Sequence, residues 1–433
     1  MNRILAICLS ALFSGSAPAA DLMQVYQEAL ANDAKFSAAR AQFEAGQEKV
    51  AQGRAGLLPQ IGLNADASWN DNEIEARAGR MSGDYDRRGY GVQLSQPLFR
   101  WQNWVQFKQG ELQTALAGAQ FDAQRQELVL RVAEAYFDVL NAQDAVDAVS
   151  QLRTAAGEQL ELARTSFEVG TVTITDVHEA QSRFDLASAQ EIAAQNQLEV
   201  ARQVLAQIIG RQPDMLAGLR EGVALQRPQP DSIADWVNAA EAGNLGVQAQ
   251  QLVREIAARE VEHARAGHLP TVDLIASHGV IHRPQLATDR NESTTIGVQL
   301  NMPLYAGGRV SSVTREAAAL RMKADADLED ARRTAALAAR QSWLGVTSGM
   351  AEVRALEAAR ISSASALEAN KLGYEVGVRI NIDVLNAQTQ LADTLQRLSR
   401  ARYDTLLAQL RLKAAAGTLG EDDVRAINAL LAP

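Results

Sequence analysis

The chain has 433 residues, a formal net charge of -10, and 42 basic against 52 acidic side chains, a balance that disfavours nucleic acid as a partner. Hydrophobic content is 47% and charged content 22%, which is ordinary for a folded protein. Aromatics make up only 5% while Ala, Gln and Leu abound, a mix that suits long, closely packed helices better than a globular enzyme core.

Residues 1–20 read as a secretory signal. Arg3 supplies the positive start, residues 4–13 the apolar stretch, and Ala17-Pro18-Ala19 the small-residue site, with cleavage after Ala19 or Ala20. The one cysteine, Cys8, falls inside this segment, too early for a lipoprotein anchor, so processing removes any prospect of a disulfide or a thiolate metal site. No later stretch reaches the ~18 apolar residues of a spanning helix. A membrane crossing, if there is one, has to be a β-barrel.

Residues 22–54 carry a proline-free helical pattern that ends at Ala55-Gly56-Leu57-Leu58-Pro59. Ile61, Leu63, Ala65, Ala67 and Trp69 then alternate with polar or small residues, which predicts a strand with one apolar face. Residues 70–88 are polar and charged, and are expected to be a long exposed loop. Tyr90, Val92 and Leu94 alternate again, and Pro97 closes a second strand.

Residues 100–169 follow without a proline, long enough for a single helix of ~105 Å. Leu128, Val132, Ala135, Val139, Ala142, Val146 and Val149 form a heptad seam that continues through Ala156, Leu160, Ala163 and Phe167, with Arg153 as the exception. A seam resumes at Val177, Ala180, Phe184, Ala187, Ala194, Leu198, Ala201 and Leu205, with Glu191 as its one break. Sustained 3.5-residue spacing means helices coiling on neighbours. A Gly/Pro-containing connector follows residue 210.

The second half repeats the first. Residues 232–265 are helical, Arg265-Ala266-Gly267-His268-Leu269-Pro270 echoes the first helix stop, and GVQLNMPLY at residues 297–305 matches GVQLSQPLF at residues 91–99. Residues 282–293 are expected to be a polar loop between strands, the second of which runs from Ile296 to Leu304. Residues 309–376 form the second long helix, residues 378–416 return, and residues 421–431 make a short terminal helix. In each half the two shorter helices together match the long one in residue count. Four strands with open edges, and helical rods with two wet faces, are completed by self-association into a closed ring.

Each half turns at a related stretch, FEVGTVTITDV at residues 167–177 and YEVGVRINIDV at residues 374–384. Gly170 and Gly377 suit the left-handed position where a helix ends, the β-branched residues after them stop it, and Asp176 and Asp383 open the next helix. Each is the tip of a helical hairpin. The aspartates read either as plain helix-start residues or, if copies close into a ring, as carboxylates that Asp383 brings together at the axis, where they would attract cations. Tyr374 and Arg379 read equally as surface side chains.

No catalytic pattern emerges. There are five histidines; His278 and His282 lie four apart, but in an extended segment that puts them ~13 Å apart, too far to share a metal. Walker, nucleophile-elbow and HExxH patterns do not occur. Gly307-Gly308 reads as a strand-to-helix joint. Neither enzyme activity nor any cofactor or metal is expected.

LMQVYQEAL, LLPQIGL, GHLPTVDL, AYFDVLNA, VGTVTITDV and GTLGEDDVRAINAL occur in this order, and on these motifs the chain resembles the TolC family of outer-membrane efflux proteins. The resemblance implies a mainly α fold with a β-barrel: a homotrimer whose twelve-stranded barrel continues into a periplasmic α-helical coiled-coil tunnel. It implies the passive exit duct of a tripartite efflux pump or type I secretion system, with a periplasmic adaptor and an inner-membrane transporter as partners and drugs or proteins as cargo. It assigns Asp383 to the entrance ring, Asn386 to a second ring that is acidic in the family, and Tyr374, Arg379, Asp176 and Gln159 to the links that hold the entrance shut. The expected layout is a signal at residues 1–20, repeats at 21–210 and 231–417 joined by a connector at 211–230, and a terminal segment at 418–433. The rival expectation is a periplasmic coiled-coil scaffold or adaptor that never spans the membrane.

Overall fold

The computed structural model describes residues 19–76, 79–220, 222–285 and 288–432, so the expected signal, including Cys8, lies outside the described residues apart from Ala19 and Ala20. The chain divides into two compact units, one made of Ala38–Gln124 with Ala239–Leu337 and the other of the remaining segments.

The first of these units holds a four-stranded antiparallel sheet in the order β1-β2-β3-β4, with β1 at Gln60–Ala76, β2 at Gly79–Phe99, β3 at Thr271–Gln285 and β4 at Thr288–Asn301. The strands are longer than expected. Residues 70–76, 79–88 and most of 282–293 are paired strand rather than loop, with Asp71 opposite Asp84 and Val280 opposite Glu292. Apolar alternation fades there, but backbone pairing needs no apolar face, so hydrophobic pattern alone ended these strands too early. β4 stops at Asn301, short of the expected Leu304, because Pro303 has no N–H to donate.

Register sorts the sheet into two faces. Ile61, Leu94, Ala276 and Ile296 stand opposite one another across all four strands. The neighbouring row, Gly62, Gln93, Ser277 and Thr295, is small and polar. Ile61, Leu63, Trp69, Ile296, Val298 and Leu300 are all at least 65% or nearly so exposed, with Val298 lowest at 64%. The inner part of this face is thus apolar and exposed, while His278, Thr294 and Glu292 interrupt it further out. At the base of the sheet Arg100 grips buried Asp273 through two hydrogen bonds of 2.7 Å, tying the end of β2 to β3.

Helices α2 (Ala34–Ala55) and α3 (Trp101–Glu168) meet closely in this unit. A Cβ at Gly110 would stand 2.5 Å from the Lys49 carbonyl oxygen, and the Phe43 and Phe121 rings stack at 5.1 Å. Helices α6 (Leu245–Arg265) and α7 (Arg309–Glu375) share a small core of Val261, Ala264 and Ala317. Gly307 and Gly308, with φ of 62° and 81°, make the expected joint between β4 and α7.

Two expected helices are each broken in two. Residues 22–54 form α1 (Leu22–Asn32) and α2, and residues 232–265 form α5 (Ile233–Gly243) and α6. Asp33 leaves the helical region at ψ 119°, accepts from the Phe36 N–H at 2.6 Å and pairs with Arg131 at 3.0 Å. Asn244 accepts from the N–H groups of Gly246 and Val247. Both residues start a new helix by capping it, which competes with continuing the old one.

In the other unit the seam residues of α3 are buried, Leu128, Val132, Ala135, Val139, Ala156, Leu160 and Ala163 among them. α4 (Ile174–Ile209) returns along it. The two polar breaks in the seams meet: Arg153 Nε lies 3.2 Å from Glu191 Oε2. Tyr136 and Phe137 of α3 reach α8 (Asn381–Ala415), where Phe137 stacks on Tyr403 at 5.4 Å and Tyr403 donates to Asp144 at 2.9 Å. Burial, with Asp144 and Asp21 adding to it, pushes the Tyr403 and Tyr136 phenols well above the usual tyrosine range. The chain ends are stitched together. Tyr136 Oη donates to the Ala217 carbonyl, Ala20 bridges Leu216, and Asn428 at the end of α9 (Glu421–Asn428) bonds both Met23 N and Asp21.

Candidate functional site

The two hairpin tips lie in this same unit and share a design. At the end of α3, the Gly170 N–H bonds the Phe167 carbonyl at 2.9 Å and the Thr171 N–H bonds the Ser166 carbonyl at 2.9 Å. At the end of α7, Gly377 bonds Tyr374 at 3.0 Å and Val378 bonds Gly373 at 2.8 Å. This is the Schellman pair of hydrogen bonds, and it needs a left-handed residue. Gly170 at φ 79° and Gly377 at φ 75° supply it, as expected.

Beyond the glycines the tips diverge. In the first, Thr173 is the N-cap of α4 and Asp176 the third helical residue. The Asp176 carboxylate accepts from both the N–H and the hydroxyl of Thr173 at 2.8 Å, a reciprocal capping box. In the second, Ile380 is the N-cap of α8 and has no side-chain oxygen to offer. Asp383, which matches Asp176 in the repeat, is therefore not drawn into a box, and its carboxylate stands 3.6 Å from Arg379 Nη1. One aspartate is spent on its own helix; the other is left to the surroundings.

Gln159, Asp176, Tyr374, Arg379 and Gly377 line one cleft of about 850 Å³ between the hairpins, together with Lys371 and Asn381. Arg379 pairs with Asp383 here rather than with Asp176. Two acceptors in this cleft find no partner among the described residues: Gln159 Oε1 and Asn381 Oδ1 are both buried and unbonded. An unbonded buried carbonyl is costly, so the cleft holds unused acceptor capacity beside three side chains that donate, Lys371, Tyr374 and Arg379. Asn386 does not line this cleft. Its Oδ1 accepts from Arg183 Nη2 at 3.1 Å, a contact from α4 to α8.

The hairpins are held to each other just above by Ala156, Leu160 and Ala163 of α3, Ala180 of α4 and Leu385 of α8, a small-residue core that lets helices approach closely. At the very tips Val169, Val376, Val378 and Ile380 are exposed. Sequence reading missed Thr173, Arg183, Asn381 and Lys371. Thr173 was visible in principle, since Thr-x-x-Asp is a capping-box pattern. Arg183 carries no local signal, because its partner is two hundred residues away. The described residues include no group of His, Cys, Asp and Glu able to hold a metal ion, and His278 bonds Thr294 instead.

Comparison with known proteins yields a consistent set. The model of a family described as outer membrane efflux protein matches residues 25–211 and again residues 236–418. The outer membrane protein TolC of Vibrio cholerae is 35% identical over 99% of this chain and 98% of its own length. TolC of Escherichia coli is 33% identical over 96% of this chain and 86% of its own. The alkaline protease secretion protein AprF of Pseudomonas aeruginosa is 34% identical over 94% and 86%. Among solved structures, the outer membrane protein VceC of Vibrio cholerae superposes with a TM-score of 0.78 at 21% identity, covering 92% of this chain and 96% of that one. The CmeC outer membrane channel of Campylobacter jejuni gives 0.80 at 17% identity, covering 94% and 88%.

Proposed function

The chain belongs to the TolC-type outer membrane efflux protein family, non-enzymatic outer-membrane channels that extend into the periplasm, and on that premise we propose that three copies close into one passive export duct whose gate is the cleft between the hairpin tips. The observation that carries the reading is the sheet. One face is apolar over its inner part, with Ile61, Leu63, Leu94, Val92, Ala276, Ile296 and Val298, before His278, Thr294 and Glu292 interrupt it; the other is mostly small and polar, and β1 and β4 are edges with unpaired backbone groups. Edge-to-edge pairing of β1 on β4 of the next copy makes a twelve-stranded barrel from three chains, greasy outside and wet within.

The two repeats, residues 21–210 and 231–417, then each supply two strands and one hairpin to the wall, with residues 211–230 and 418–433 packed around it. Asp383 is the selectivity residue at the entrance and Asn386 the position beyond it. Tyr374, Arg379, Asp176 and Gln159 form the latch. In the closed trimer the orphan acceptors of Gln159 and Asn381 take hydrogen bonds from Tyr374 and Arg379, and an opening motion gives these up. A periplasmic adaptor docks on the exposed valines of the tips and an inner-membrane transporter supplies the cargo. AprF and the proteases secretion protein PrtF, 31% identical, are named for protein secretion, so a protein substrate fits this duct as well as a drug does.

The test is an outer-membrane fraction run on a gel without boiling, followed by reconstitution in a planar bilayer. Heat-resistant trimers that conduct weakly until the tips are loosened are expected. Protein found only in the soluble periplasmic fraction would reject the channel and leave the scaffold.

A further inference from the structure

We propose that the outer rim of the sheet's apolar face carries a binding site for a lipid headgroup bearing two phosphates, built from Arg88, His282 and Arg290. This rests on the reading above for one point, that the sheet forms part of an outer-membrane barrel.

The site follows from register. Arg88 of β2 stands opposite His282 of β3, and His282 stands opposite Arg290 of β4. Three adjacent strands thus present three basic side chains side by side. Strands lie ~4.8 Å apart, so the row spans ~10 Å, wider than a single phosphate and suited to a pair of them. All three side chains are exposed.

The row lies on the greasy face. Two residues per step along the strands, it stands three steps above the wholly apolar row of Ile61, Leu94, Ala276 and Ile296. From Val272 to Val280 the same face of β3 covers eight residues, roughly 27 Å along a strand, comparable with the ~25 Å apolar band of an outer-membrane barrel; it is apolar but for His278, with Thr294 and Glu292 opposite its outer part on β4. The basic row lies just beyond that stretch, one step outside Val280 and Glu292. Tyr90 and Trp69 flank it on the same face, one step inside and one step outside, at 53% and 65% exposure. Tyr and Trp favour the headgroup level of a bilayer, so they place this row at the headgroups independently of its charge.

Two carboxylates also touch the row. Arg290 pairs with Glu292 at 2.7 Å, and Arg88 lies 3.9 Å from Asp86. A guanidinium has five N–H donors in a fork that matches phosphate, so one carboxylate contact leaves donors free. Glu292 nevertheless competes for Arg290, and that competition separates a phosphate site from a structural ion pair.

The experiment uses the full-length trimer in phosphatidylcholine nanodiscs. A glucosamine-disaccharide lipid carrying two phosphates is titrated in, and its monophosphorylated form in parallel, with bound lipid counted by native mass spectrometry. The two-phosphate lipid should bind more tightly than the one-phosphate form. Arg88→Gln and Arg290→Gln should each weaken it by about fivefold. Glu292→Gln should strengthen it, a gain that loss of a merely structural ion pair would not give. Arg87→Gln, which removes a cation from the opposite, polar face where it pairs with Asp66, should change nothing. Equal binding of the two lipids, no change in the double variant Arg88→Gln/Arg290→Gln, or weaker binding in Glu292→Gln would each overturn the site. A chain that forms no trimer in membranes fails the channel reading instead, and the unboiled gel reveals that before any lipid is added.

Discussion

Arg183 Nη2 donates to Asn386 Oδ1 at 3.1 Å, so the position expected to extend the acidic entrance is bonded to a cation instead. With Arg379 beside Asp383, each of the two positions proposed for the entrance has a guanidinium next to it.

Selectivity should follow from that arrangement. Under a potassium chloride gradient the wild-type channel is expected to prefer cations only weakly. Asn386→Asp adds a second ring of carboxylates and should move the reversal potential toward the cation limit and tighten block by divalent cations. Arg183→Gln should shift it the same way by a smaller amount, with stability changed by less than about 0.5 kcal/mol because the contact is exposed. An unmoved reversal potential in Asn386→Asp would take this position out of the pore.

The unequal caps of the two hairpins make a sharper test. Ile380→Thr supplies the hydroxyl that Thr173 supplies in the first tip, and it should draw Asp383 into a capping box of its own. Capping contributes about 1 kcal/mol, so amide exchange at the second tip should slow. At the same time the carboxylate leaves the pore, and divalent block should weaken without any change to Asp383 itself. Slower exchange with block intact would separate the aspartate's position from its role.

Arg379→Ala and Tyr374→Phe test the latch. An exposed ion pair contributes about 0.2–1 kcal/mol, so losing one shifts the open-to-closed ratio by up to about fivefold. Single-channel recordings should show a larger open fraction in both variants, more in their combination. Recordings indistinguishable from wild type would remove these residues from the gate.

A pH test reaches the packing above the tips. The Asp138 carboxyl is held above the usual aspartate range, first by burial in the wall of a cleft of about 590 Å³ and then by Glu134 and Asp404, while Arg400 and Arg411 pull the other way. A carboxyl raised in the folded state favours the folded chain when protonated. It therefore weakens the fold as pH climbs from the ordinary aspartate range through its raised value, and most of all above it. Asp138→Asn should raise the melting midpoint at neutral pH and give no gain at about pH 3, where both states hold the proton. A gain of equal size at both pH values would point to packing rather than charge.

The parts of the molecule that were readable in advance are those where one local rule acts alone. Gly170 and Gly377 announce left-handed turns, and the seam from Leu128 to Ala163 announces a coiled helix, because glycine freedom and heptad spacing leave marks in adjacent residues. The breaks at Asp33 and Asn244 were missed because a capping side chain and an exposed helical one look alike until its partner is seen, here Phe36 N for one and Gly246 N for the other. The outer halves of the strands were missed because alternation reports burial, and Asp71, Glu73 and Asp84 pair through the backbone. For the residues proposed at the entrance, the bonds they make were not legible. That Asp176 is engaged by Thr173 and Asp383 is not depends on a single Thr-to-Ile difference between the two tips.

Arg153 and Glu191, the two misfits of the first hairpin, give its helices a key. Sliding one helix past the other by a heptad would set Glu191 against Val146 or Leu160 and Arg153 against Phe184 or Leu198, stranding a charge among apolar groups each time. Shear along the seam is thereby opposed as a way to widen the proposed entrance. What stays open is a swivel about the seam, in which every rung keeps its neighbour and only the free ends swing.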